Sequence, residues 1–192
     1  MNLKYFLFLF SISSLLLSSC GEDEFSPKPK GYFRIDLPAK TYTTYDKGCP
    51  FTFEYPKYSR LVADPERTAE PCWLNWEFPR YGATLHISYK DLHDDAMNYI
   101  KTSWDMVQKH IPKASAMNND EVLNRENKVY GLVFNIGGNA ASPLQFYLTD
   151  STRHFVRAAL YFSAVPNEDS IKPVFDFIHA DILHMIKTFK WK

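Results

Sequence analysis

Cysteine and histidine are the side chains with the most chemistry to offer, and their spacing narrows that chemistry quickly. Three cysteines occur among 192 residues, at positions 20, 49 and 72. Cys20 closes Leu17-Ser18-Ser19-Cys20, after Lys4 and the apolar run Phe6 to Leu17. A basic start, an apolar stretch and small residues before a cysteine form the pattern of an export leader. Its cysteine becomes the lipidated first residue of the processed chain, held by a two-point hydrophobic anchor. An ordinary secretory signal or a short membrane anchor is the competing reading. The apolar run is shorter than the roughly 20 residues that span a bilayer. With Cys20 given to lipid, Cys49 and Cys72 remain as a pair. Exported proteins live where disulfides persist, so a bridge is expected, with two buried free thiols as the alternative. Neither has a C-x-x-C partner, which argues against a metal site.

The six histidines offer little more. His86 falls in a strand, with Leu85 and Ile87 facing the other way. His93-Asp94-Asp95 would suit a hard cation, but it lacks the turn glycine and closing glutamate of a calcium loop. A solvated helix start explains it better. His179 and His184 are five apart and do not share a helical face, unlike the i, i+4 pair of a zinc helix; His179 is expected at the surface. Asp181 and His184, three apart, would form a surface pair. No G-x-S-x-G is present, and Ser142 before Pro143 has no base nearby in sequence. Gly137-Gly138-Asn139 lacks the lysine and spaced glycines of a phosphate loop, and reads as a hairpin turn. The residues thus predict no catalytic site, no metal and no cofactor beyond the covalent lipid on Cys20.

Around these residues the chain predicts three regions: a leader over 1–19, the lipidated cysteine and a flexible tether over 20–31, and one globular domain over 32–192. Glu22-Asp23-Glu24 and Pro27-Lys28-Pro29-Lys30-Gly31 favour extended, solvated backbone. A composition 45% hydrophobic and 16% aromatic is ample for a core. The 22 basic side chains balance 22 acidic ones, against nucleic acid as a partner. Alternation predicts strands at 32–37, 51–55, 73–78 and 83–89, and an apolar, β-rich run at 129–136 followed by strands at 144–148 and 154–162 reads as a meander. Residues 39–48, 57–71 and 113–120 read as loop or irregular, and 121–124 fits either a helix or a strand. Met97, Ile100, Trp104, Val107 and Ile111 define a helix from near Asp94, stopped by Pro112. Ile171, Val174, Ile178, Ile182, Met185 and Phe189 define a longer one over 170–189, with Pro173 in its first turn. The order predicts an α+β fold: an antiparallel sheet of about six strands covered by two main helices. As a pattern it is similar to the photosystem II PsbP/Mog1-like fold, an analogy that carries no function.

Tyrosines and arginines gather in the N-terminal half. Tyr32, Arg34, Tyr58, Arg60, Arg80 and Tyr81 match the composition of protein interfaces. A packed loop layer would explain them equally.

Cys20, the run Pro27 to Pro38, the run Cys49-Pro50-Phe51-Thr52-Phe53-Glu54-Tyr55-Pro56 and Cys72-Trp73-Leu74-Asn75-Trp76 together resemble the gliding motility lipoprotein GldD family of Bacteroidetes. The resemblance covers nearly all of the processed chain. It implies a non-enzymatic cell-envelope lipoprotein required for gliding, a process coupled in that group to type IX secretion. Its partners would be other envelope proteins of the gliding machinery, with the membrane reached through the lipid. An outer-membrane position facing the periplasm is expected, and the acidic run after Cys20 leaves surface display open. The competing reading is a periplasmic module for a glycan or small ligand, which requires a concave site lined by exposed aromatics. A hydrolase would require a convergent acid, base or metal.

Overall fold

Period-two alternation builds the sheet. In β4 (Leu74–Phe78) it turns Leu74, Trp76 and Phe78 to one face and Asn75 and Glu77 to the other. β5 (Ala83–Asp91) repeats this with Ala83, Leu85 and Ile87 against Thr84, His86 and Ser88. β9 (His154–Phe162) does so with Val156, Ala158 and Leu160 against Phe155, Arg157 and Tyr161. This computed structural model describes Gly31 and residues 34–192. The expectations for the leader, Cys20, the tether and Tyr32 lie outside the described residues. Ile35–Lys192 is a compact unit.

Seven strands pair antiparallel in the order β3-β4-β5-β9-β8-β7-β6. The remaining members are β3 (Arg60–Ala63), β6 (Ala114–Asn124), β7 (Val129–Gly138) and β8 (Leu144–Thr149). β7, β8 and β9 form the expected meander. At Gly131 an added Cβ would lie 1.9 Å from the Tyr147 carbonyl oxygen, so only glycine lets β7 approach β8 there. A second sheet joins β1 (Tyr42–Tyr45), β2 (Phe51–Pro56) and β10 (Lys190–Trp191), with β2 central.

Among the described residues two α-helices complete the fold, α1 (Ala96–Gln108) and α2 (Glu168–Thr188). α2 starts where Asn167 accepts from the Ser170 N–H, and the Glu168 carboxylate accepts from the Gly138 N–H at 2.8 Å. Pro173 sits near its start, as expected. The main core lies between α2, the β1-β2-β10 sheet and the apolar face of β4, β5, β9 and β8. Phe51, Phe53, Trp76, Ile178, Ile182, Met185 and Phe189 meet there. A smaller core of Val107, Phe134, Tyr147 and Phe155 seats α1 on the opposite face.

The fold is α+β, with seven- and three-stranded sheets in place of one sheet of about six strands. Residues 34–37 form no strand; the strand begins instead at Tyr42, in a stretch read as loop. Residues 60–63 and 114–124, read as irregular, loop or ambiguous, are β3 and β6. β6 is exposed along most of its length and held by its ladder to β7, so it has no hydrophobic period to betray it. α1 ends at Gln108, before Pro112. Asp95 precedes α1 without a capping bond, and its Oδ1 accepts from the His93 N–H. Gly137 and Gly138 end β7 rather than forming a free turn.

Candidate functional site

Asp181 lies on the buried stripe of α2, between Ile178 and Ile182, and is fully buried. A lone carboxylate there would be untenable. It accepts from the Tyr42 hydroxyl at 2.7 Å and from the Tyr58 hydroxyl, and pairs with Lys40 Nζ at 3.0 Å. Lys40 also donates to the Phe177 carbonyl at 2.8 Å and stands 4.4 Å from that ring's centre. Burial, then the bond to Asp181, pushes the Tyr42 hydroxyl up to about 12 and raises Tyr58 as well. Both phenols are therefore firmly protonated donors. Beside them the Tyr42 ring stacks on His184 at 3.8 Å, and His184 Nε2 meets Glu54 Oε2 at 2.7 Å. The Asp181–His184 pair expected from their spacing does not form: Asp181 turns inward and His184 turns to β2. His179 is half-buried rather than a surface group. It stacks on Phe175 at 5.3 Å, burial lowers its pKa, and its Nε2 has no partner among the described residues.

The interface candidates separate. Tyr58 and Tyr81 come together edge to face at 6.4 Å, both against Phe177. The Tyr81 hydroxyl donates to the Asp36 carbonyl at 3.4 Å, and Arg80 lies 3.9 Å from the Asp36 carboxylate. These residues clamp the entering segment 36–42 against α2. Arg60 reaches across to Glu77 at 2.5 Å, and Arg34 is exposed. Cys49 and Cys72 are joined by a disulfide. This ties the approach to β2 to the start of β4.

A concave site lies on the other face of the large sheet. α1 rests on β8 and β9 and leaves the polar face of β4 and β5 uncovered. Between them opens a cleft of about 410 Å³. Its floor carries Trp73, His86, Ser88 and Arg157, and its wall is the α1 side chains Tyr99, Thr102 and Met106. Trp73 is half-buried, whereas Trp76 is fully buried and Trp104 is 39% exposed. The Trp73 indole N–H donates to the Tyr89 carbonyl at 3.0 Å, which fixes the ring. His86 Nδ1 meets Asn75 Oδ1 at 2.7 Å. Arg157 donates to Gln145 Oε1 at 2.5 Å, a diagonal reach over Ala159, which sits opposite Gln145. Burial lowers the Arg157 pKa and, with the nearby guanidinium, that of His110. Sequence reasoning missed this site because its residues come from β5, α1, β9 and the loop residues Asp64 and Trp73, spread over 64–157. A polar face recurring on the strands, His86 and Ser88 with Arg157 and Tyr161, was the available signal. Among the described residues, no group of three or more metal-ligating side chains converges, and no helix is long and apolar enough to cross a membrane.

An antiparallel α+β domain with a clamped entry segment and one cleft beside α1 is thus the class of molecule. The chain belongs to the gliding motility lipoprotein GldD family, whose model matches residues 22–191. It is a cell-envelope lipoprotein with a role in gliding motility. Among solved structures it is similar to the solution structure of cyanobacterial PsbP (CyanoP) from Synechocystis sp. PCC 6803. Identity there is 15% and the TM-score 0.43, over 92% of this chain and 99% of that one. No curated protein matches it.

Proposed function

We propose that the chain is a lipid-anchored, non-catalytic component of a Bacteroidetes envelope, supporting assembly or stability of the gliding and type IX secretion machinery through protein contacts. The family match over residues 22–191 carries this reading. The surface of α1 supports it. Met97 is 74% exposed and Trp104, seven residues on and on the same helical face, 39%; Ile111 just beyond is 44% exposed. Apolar side chains grouped on a surface favour a protein partner. Arg34, Arg60 and Arg80 add exposed cations of the kind enriched at interfaces. The covalent lipid on Cys20 would hold the domain at the outer membrane, facing the periplasm, and the role takes no metal or other cofactor.

A clean gene deletion should abolish colony spreading and lower the steady-state level of other envelope components of the machinery. Unimpaired gliding would sink the proposal. Cys20→Ser should release the protein from the membrane fraction and also stop spreading; retention there would refute the anchor.

A further inference from the structure

The cleft beside α1 holds a cation without a counter-charge. Arg157 is half-buried on β9, and its guanidinium bonds a neutral amide, Gln145. Among the described residues no carboxylate lies within ion-pair distance of it. A guanidinium withdrawn from water is ordinarily matched by a carboxylate or phosphate, because an unpaired charge there is costly. Lys90, the other cation on the lining, is already paired with Glu70 and stands 5.5 Å from the Trp73 ring centre. Asp64 also lines the cleft, but at its far end, beside β3. With β5 and β4 between it and β9, three strand spacings separate the two, about 14 Å. Its Oδ1 is occupied by the Glu66 N–H.

Gln145 sharpens the requirement. It is 1% exposed, and its Nε2 has no acceptor among the described residues. Turning the amide over would set N–H against the guanidinium N–H, so Arg157 fixes its orientation. The layer therefore holds a cation lacking an anion and, next to it, a donor lacking an acceptor. The remaining lining sets the apolar walls of Trp73, Tyr99, Met106 and Phe155 beside small polar groups such as His86 and Ser88. Small-molecule sites typically fall within about 300–1,000 Å³ and combine such walls with a few placed polar groups. A volume of about 410 Å³ fits that range.

We propose that this cleft binds an amphipathic organic anion, its carboxylate or phosphate on Arg157 and its apolar body between Trp73 and the α1 side chains Tyr99 and Met106. That chemistry is shared by a free alkyl carboxylate and by an acidic lipid.

Calorimetric titration of the full chain carrying Cys20→Ser tests it, with decanoate and dihexanoyl phosphatidate as the two anions. Decanol and decyltrimethylammonium serve as neutral and cationic counterparts. One anion should bind at one per chain, and the tighter of the two identifies the source; decanol and the cation should not bind comparably. Arg157→Gln should weaken the anion by about tenfold or more, the loss of a charge-assisted contact. Met106→Trp should abolish binding with Arg157 intact, since Met106 is 38% exposed and its enlargement fills the cleft without disturbing the core. Absence of binding by both anions, equal binding of decanol, or anion affinity unchanged in Met106→Trp would each overturn the proposal. A gliding defect on deletion stands or falls separately, so the two tests fail independently.

Discussion

On the α2 side of the large sheet, Trp76, Leu85, Val156 and Leu160 are fully buried beneath the helix and the small sheet. On the α1 side the same strands present Asn75, His86, Arg157 and Tyr161, and α1 lies over β7, β8 and β9 rather than over β4 and β5. One residue of register separates the two sets. The contrast teaches how a single strand can carry two jobs. Its even and odd positions face different neighbours, so the apolar face can be closed for stability while the polar face stays open.

Substitutions on the two faces should separate accordingly. Trp76→Ala removes a ring with no exposure, whose indole N–H donates to Ser59 at 2.7 Å. It should lower stability by about 3–5 kcal/mol, read from the urea midpoint. Met106→Ala at the cleft should change it by less than about 0.5 kcal/mol. Equal losses would erase the distinction between faces.

The disulfide comes next. Serine at both Cys49 and Cys72 releases a closure between residues 23 apart and should remove about 3 kcal/mol in the chain-entropy picture. Peptide mapping of the exported protein without reductant should recover the linked pair; free thiols at both positions would refute the bridge.

Alkali should weaken the α2 side through its buried phenols. Tyr42 has a folded pKa raised from 10 to about 12, and Tyr58 is raised too. A raised pKa contributes stability that is complete below the unfolded value and lost as pH climbs through the folded one. Melting temperature should therefore fall between pH 10 and about 12, together with the rise of tyrosinate absorbance. Tyr42→Phe should flatten that fall; a slope unchanged in this variant would remove Tyr42 from the account. A small effect also belongs to Arg60→Ala on the open side. It breaks an exposed pair with Glu77 and should change stability by under about 1 kcal/mol.

What could be read from sequence follows the same division. β9 was legible to the residue, since Val156, Ala158 and Leu160 alternate over a closed face. α2 was legible from its wide apolar stripe and from Pro173. β6 was not, because an exposed edge strand such as Ala114–Asn124 obeys its partner's ladder rather than its own pattern. β1 was hidden similarly, its Tyr-Thr-Thr-Tyr offering no apolar period. Asp181 was misread as a surface helix partner although its position falls on the stripe with Ile178, Ile182 and Met185. Scoring that stripe by position rather than by hydrophobicity would have flagged a buried carboxylate. The cleft could not be assembled from sequence, because it depends on how far α1 extends across the sheet.

The clamp at Asp181 also has a mechanical meaning. Tension applied ahead of Ile35 meets Asp36, held by Tyr81 and Arg80, and then Lys40 and Tyr42. There an ion pair, a hydroxyl bond and a stacked imidazole tie the chain to α2 at the point where the β1–β2 ladder begins. Such fastenings share a pull across two elements instead of passing it to one strand. A pull on the leading segment would then load α2 as well as the first strand.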